Sequence, residues 1–227
     1  MPKRKLPQKP APKRARILLV DDHPMVRERL KEVIEREPDL LVCGEADDRH
    51  AAIDAIKQTK PNLVAIDLTL KSSHGIDLIK DIRQQFPGLL MLVVSMHDES
   101  LHAERVIQAG AHGYITKQEA TRKILLALRR VLSGQLYLGE TISGRIIAKR
   151  TNHQNHRPSA STLDCLADQE VRVFELTGQG LNVKQIAGTL HITAKTVETY
   201  RARIKQKLRL KDAADLLQFA IRWSHSP

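Results

Sequence analysis

From Ile17 onward the chain alternates short apolar runs with amphipathic stretches. The runs are "ILLV" (17–20), "LLVCGEA" (40–46), "LVAID" (63–67), "LLMLVVS" (89–95) and "GYIT" (113–116). Between them lie helix-like stretches at 24–37, 49–59, 75–85, 100–110 and 120–132. Strands buried on both faces read as unbroken apolar runs, so this pattern predicts an α/β unit with a five-stranded, doubly wound, mainly parallel sheet. In such sheets ligands sit beyond the carboxyl ends of the strands. Here those ends carry Asp21 and Asp22, Asp67, Ser95 and Lys117.

Past Leu132 the pattern loosens, with one more helix expected at 143–149. "KRTNHQNHRPSAS" (149–161) is polar, holds Pro158 and lacks apolar periodicity, which marks a linker, set at 133–162. A helical segment follows over 163–227. In front of the sheet, "MPKRKLPQKPAPKRAR" mixes proline with positive charge and has almost nothing apolar to bury, so residues 1–15 are expected to form a disordered tail.

Charge sharpens this division. Residues 1–16 carry seven Lys or Arg and no acid, 17–132 carry 16 basic and 18 acidic residues, and 133–227 carry 14 basic and 8 acidic. A mildly acidic middle with a basic C-terminal third suggests that the last module meets a polyanion. No apolar run approaches the length of about 20 that spans a bilayer, and no apolar segment of signal-peptide type follows the basic start. Cys43 and Cys165 stand far apart, without partners at metal-ligand spacing. The expectation is a cytoplasmic protein with no membrane partner.

The strand ends carry the first candidate chemistry. Asp22 and Asp67 offer hard oxygen ligands to Mg²⁺, which takes few protein carboxylates and keeps waters and phosphate oxygens. Asp21 could hold one of those waters. Asp67 then suits a nucleophile toward a phosphoryl group, with the metal and the Lys117 ammonium neutralising the equatorial oxygens and the Ser95 hydroxyl within reach. His23 and His97 show no partner set that would make them metal ligands.

"LVDDHP", "AIDLTL", "VVSMHDE" and "AGAHGYITK" resemble the receiver domain of two-component response regulators of the NarL/FixJ type, over residues 16–132. The resemblance implies a flavodoxin-like fold in which Asp67 accepts a phosphoryl group from a sensor histidine kinase. It also implies Mg²⁺ held by Asp22, Asp67 and the Thr69 backbone carbonyl, with Asp21 acting through water. Lys117 would pair with the phosphate, and Ser95 and Tyr114 would form the switch pair. Lys71 stands where many receivers have proline.

In the last module, Asn182 with Gln185 predicts a capped helix start, and Thr193 a second one. Val197, Tyr200, Ile204 and Leu208 fall on one stripe; Lys195, Glu198, Thr199, Ala202 and Gln206 fall on the opposite face, flanked by Arg203, Lys205 and Lys207. A small-sided face with flanking cations, following a tight helix and turn, suits the DNA major groove. "GLNVKQIAGTLHITAKTVETY" and "IKQKL" resemble the LuxR-type helix-turn-helix domain of four helices. That likeness places Glu198, Thr199 and Ala202 toward base edges and Lys195, Thr196, Arg201 and Lys205 at phosphates. It implies double-stranded DNA as partner and a homodimer, paired through the last helix, when phosphorylated or DNA-bound. The whole therefore reads as a phosphorylation-regulated transcriptional regulator rather than an enzyme. A magnesium-dependent phosphohydrolase, the main alternative, commonly carries a second acid two residues after its nucleophile, where this chain has Thr69.

Overall fold

The computed structural model describes residues 14–70, 73–96, 99–139, 163 and 165–224. The basic tail up to Lys13, Lys71, His97, the helix expected at 143–149 and most of the expected linker lie outside the described residues. The chain divides into two compact units, residues 1–146 and 147–227.

The first unit begins with β1 (Ala15–Val20), α1 (Pro24–Glu35), β2 (Leu40–Ala46), α2 (Arg49–Thr59) and β3 (Leu63–Ile66). A two-strand ribbon, β4 (Thr69–Leu70) and β5 (Ser73–His74), leads into α3 (Gly75–Gln85) and β6 (Leu90–Ser95). The unit continues through α4 (Glu99–Ala109), β7 (Gly113–Thr116), α5 (Lys117–Leu132) and β8 (Tyr137–Leu138). The main sheet has the order β2-β1-β3-β6-β7-β8 and is parallel throughout.

Alternate residues of each strand feed opposite cores, the period-two geometry of a pleated strand. Leu18, Val20, Val64, Ile66, Met91 and Val93 pack with Ile56, Ile79, Ile82 and Val106 on one face. Ile17, Leu19, Leu63, Ala65, Leu92 and Val94 pack with Ile34, Ile124, Leu128 and Val131 on the other. Each fully buried side chain of this size contributes about 1.5–3 kcal/mol, so two-sided burial accounts for the absence of polar positions inside the central strands.

The sheet has six strands where five were expected. β8 has only two residues, too few for a periodic signal, and it docks where Gly113 leaves room. A Cβ there would lie 2.9 Å from the Tyr137 carbonyl oxygen. At the other edge, β2 carries an extra residue: Ile17 pairs with Val42 but Leu18 with Gly44, so Cys43 bulges from the ladder. Helix α5 starts at Lys117 rather than Ala120, because the Thr116 side chain caps it by accepting from the Glu119 N–H at 3.2 Å.

The second unit has four helices: α6 (Asp168–Gly178), α7 (Val183–Leu190), α8 (Ala194–Leu208) and α9 (Ala213–Ser224). Val171, Phe174, Ile186, Val197, Ile204 and Leu216 form its buried interior. Phe174 meets Phe219 and Trp223 with ring centroids 5.8 and 6.0 Å apart. Both expected caps are present. Asn182 and Gln185 exchange backbone-to-side-chain bonds of 2.9 and 3.0 Å, and Thr193 accepts from the Thr196 N–H at 3.1 Å. His191, in the left-handed region at φ 52°, makes the sharp turn between α7 and α8.

Among the described residues no helix is long and apolar enough to cross a membrane.

Candidate functional site

The chain leaves β1 to build β2 on one side and returns to build β3 on the other. The crevice between β1 and β3 is thus the point where the winding reverses, the place where such sheets take ligands. Asp21 follows β1 and Asp67 follows β3. Their backbones are fixed by ladder-like bonds, Asp21 N–H to the Ala46 carbonyl at 3.1 Å and Asp67 N–H to the Val20 carbonyl at 2.8 Å.

Lys117, the first residue of α5, reaches into this crevice. Its Nζ lies 2.6 Å from Asp21 Oδ2 and 2.8 Å from Asp67 Oδ2. All three side chains are buried, at 7%, 4% and 2% exposure for Lys117, Asp21 and Asp67. Burial raises the pKa of Asp67 to about 6, against the attraction of Lys117, with the Asp21 charge adding to the rise. Burial opposes the Lys117 charge, but Asp67 and Asp21 outweigh it and hold the ammonium above the ordinary lysine range. The Thr69 backbone bonds to the Asp67 carboxylate, and the ribbon that begins there returns through His74 to α3. Gly75 closes this loop: its N–H donates to the Leu68 carbonyl at 2.8 Å, and a Cβ would lie 2.4 Å from the Asp67 carbonyl oxygen.

Asp22 is half-buried beside this trio. Its Oδ1 is shielded from solvent, stands 2.6 Å from His23 Nδ1 and yet makes no hydrogen bond. One donor atom from each of Asp21, Asp22, His23 and Asp67 falls within a 4.8 Å cluster. A desolvated carboxylate oxygen whose near neighbour is an imidazole nitrogen, within such a cluster of acids, fits a hard divalent cation. So does the formal charge, since three carboxylates against one ammonium leave a deficit of two.

The sequence placed Asp21, Asp22, Asp67 and Lys117 together, and they meet. Ser95, at the end of β6, and Tyr114, in β7, are both fully buried, and the register sets Tyr114 opposite Val93. His23 was missed. Its ring is 60% exposed, but its backbone N–H donates to Asp21 Oδ1 at 2.8 Å and its ring Nδ1 touches both aspartates. A turn at a strand end can fold the third residue of a D-D-H run back on the first two; only spacing at that turn could have signalled it. His97 lies outside the described residues. Beside the pocket, Met25, Leu30, Met96 and Ile124 line an apolar groove of about 210 Å³ that also touches Lys117.

In the second unit α8 presents two distinct faces. Val197 and Ile204 are fully buried, with Tyr200 and Leu208 half-buried on the same stripe. Lys195, Glu198, Thr199, Ala202, Arg203 and Gln206 are exposed, while Thr196, Arg201 and Lys205 lie at the border. The Thr196 hydroxyl lies 2.8 Å from the capping Thr193 hydroxyl. Lys207 differs from its expected flanking role: its Nζ lies 2.6 Å from Oε2 of the buried Glu170. Glu170 also accepts the Ala167 N–H at 2.8 Å. Ala167 has no side-chain acceptor with which to cap α6, so Glu170 supplies half of a capping box and ties α6 to α8. Its Oε2 serves both bonds, a role that a lone Glu in "ADQE" did not announce.

The family model for the response regulator receiver domain matches residues 17–129, and the model described as bacterial regulatory proteins, luxR family, matches 164–220. The transcriptional activator protein ExaE of Pseudomonas putida is 32% identical over 205 residues, 90% of this chain and 95% of that one. The uncharacterized transcriptional regulatory protein YxjL of Bacillus subtilis is 30% identical over 207 residues, 91% and 95% of the two chains. Among solved structures, RcsB from Salmonella enterica serovar Typhimurium, bound to promoter P1flhDC in the presence of phosphomimetic BeF3−, superposes with a TM-score of 0.66. It is 25% identical, with 92% of this chain and 98% of that one covered.

Proposed function

Because the chain belongs to the response regulators that join a receiver domain to a LuxR-type DNA-binding domain, we propose that Asp67 is the phosphoacceptor through which DNA binding is controlled. One observation carries this reading: Asp67 sits at the winding reversal with Asp21 and Lys117 bonded into one buried cluster.

A carboxylate oxygen of Asp67 attacks the phosphorus of a phosphohistidine on a sensor kinase. The new P–O bond forms as the P–N bond breaks, and the histidine leaves with the bonding pair. Lys117 is placed to turn its ammonium to the transferred oxygens. Asp22, Asp67 and the Thr69 carbonyl would hold Mg²⁺, with Asp21 acting through water; the ion supplies further neutralisation of phosphoryl charge when bound. The Ser95 hydroxyl and Tyr114 serve as the switch pair. The apolar groove beside Lys117, with Met25 82% and Met96 69% exposed, suits a docking kinase helix because it adjoins the acidic pocket.

In the second unit, α8 enters the major groove with Glu198, Thr199 and Ala202 toward base edges. Lys195, Thr196, Arg201 and Lys205 meet phosphates. Two copies, paired through α9, read two half-sites. The expected linker at 133–162 is shortened at its start, because Tyr137 and Leu138 form β8 of the sheet; the residues after β8 up to 162 act as the linker, and the protein works in the cytoplasm. The test is phosphate incorporation from a small phosphodonor in Mg²⁺. Wild type incorporates one phosphoryl group, Asp67→Ala incorporates none, and operator affinity rises only for wild type. Unchanged incorporation by Asp67→Ala overturns the assignment.

A further inference from the structure

On the outward line of α8 the chemistry is narrow. Between Lys195 and Lys211 there are seven basic residues and one acid, Glu198. That acid is exposed, although Lys195 and Arg201 stand three residues away on either side. Among the described residues Glu198 makes no ion pair or hydrogen bond. It differs in this from Glu170, which is buried and spent on Lys207 and the start of α6. Glu198 therefore has no structural task in the unit, and on a phosphate-facing surface its charge weakens binding to any DNA by repulsion. A carboxylate at that position is tolerated where a specific donor meets it.

Its neighbours restrict the donor further. The Thr199 hydroxyl donates to the Lys195 carbonyl at 2.9 Å, so its proton is committed to the helix. It cannot also donate to a guanine or thymine oxygen. Ala202 adds a methyl group one turn on. The line thus offers one acceptor-only group and two small apolar surfaces.

In the major groove, guanine presents N7 and O6, both acceptors, and thymine presents O4, so each repels a carboxylate. Adenine offers its N6 amine beside the acceptor N7. Cytosine offers its N4 amine with no acceptor of its own beside it. We infer that Glu198 selects a cytosine in each half-site, with the methyl groups of Thr199 and Ala202 against a neighbouring thymine methyl. This rests on the reading that α8 enters the major groove.

The experiment is selection from a randomised duplex library with the full chain treated with phosphodonor, at stated salt. Wild type, Glu198→Ala, Glu198→Gln and Lys205→Ala are compared, with Trp223 fluorescence verifying each fold. Wild type is expected to enrich one cytosine position per half-site. Glu198→Ala loses about tenfold or more of the discrimination at that position and keeps the others. Glu198→Gln moves the preference toward adenine, whose N6 and N7 match an amide. Salt slopes carry the separate control: Lys205→Ala weakens all sequences alike and reduces the slope by about one. An unchanged selected site in both Glu198 variants, with Lys205→Ala still weakening binding, overturns the cytosine inference and leaves the helix assignment standing. If no α8 variant changes DNA binding, the helix assignment itself fails, and the inference with it.

Discussion

Replacing Asp67 by Asn should stabilise the metal-free receiver unit at neutral pH, although it removes a hydrogen-bonded ion-pair partner of Lys117. The ionised Asp67 is held in a buried pocket where desolvation outweighs that attraction, and its pKa rises from 3.8 to about 6. A carboxylate with a raised pKa contributes stability that is complete below its unfolded value and is lost as pH rises through the folded one. The shift corresponds to about 3 kcal/mol at pH 8, and about half of that at pH 5. Asn imitates the neutral carboxyl at every pH and so escapes the penalty. The assay is hydrogen exchange of the full chain in chelator, read by mass spectrometry on peptides covering β1 and β3, with the two proteins compared at the same pH. At pH 8 the variant should exchange about a hundredfold more slowly, narrowing to about tenfold at pH 5. Adding Mg²⁺ should slow the wild type far more than the variant. Faster exchange in the variant at pH 8, or an equal gap at both pH values, refutes the claim that burial dominates the site.

Two further substitutions probe the supports of the two sites. Gly75→Ala places a Cβ 2.4 Å from the Asp67 carbonyl oxygen and 2.8 Å from Leu68 Cα. Backbone cannot yield as a side chain does, so about 1–3 kcal/mol of stability should be lost, and phosphodonor labelling of Asp67 should slow; unaltered unfolding and labelling would show that the loop accommodates the methyl group. Glu170→Ala removes the acceptor shared by Lys207 and the Ala167 N–H. Urea unfolding of the second unit, followed by the fluorescence of Trp223 against Phe174, should shift by about 2 kcal/mol, and an unshifted midpoint would mean that the α6–α8 tie is dispensable.

Much of the first unit was legible because two-sided burial writes itself into sequence as apolar runs. The five long strands and the junction of Asp21, Asp22, Asp67 and Lys117 followed from it. Strand β8 was not legible: it depends on the absence of a side chain at Gly113, 24 residues upstream of Tyr137, and a two-residue strand has no period. The contact of His23 with its two preceding aspartates depends on the backbone at the entry to α1, which composition does not encode. In the second unit the Asn182 and Thr193 caps were readable because they act over three residues. The Glu170–Lys207 pair joins residues 37 apart, so Lys207 looked like one more unpaired surface cation, although its ammonium is held by the buried Glu170.

The two edges of the main sheet bear on self-association. Unpaired strand edges invite addition of further strands, and proteins blunt them with short strands, bulges and charge. Here β8 covers one edge with two residues, and β2, at the other, is interrupted at Cys43 and carries Glu45 in ion pairs with Arg27 and Lys31. Neither edge offers a long, flat template for ribbon-like polymerisation. The pairing of two copies proposed above would then use helical faces, such as α9 with its exposed Leu217 and Ile221 one turn apart. A closed contact of that kind would end at a pair, where edge-to-edge addition would continue without limit.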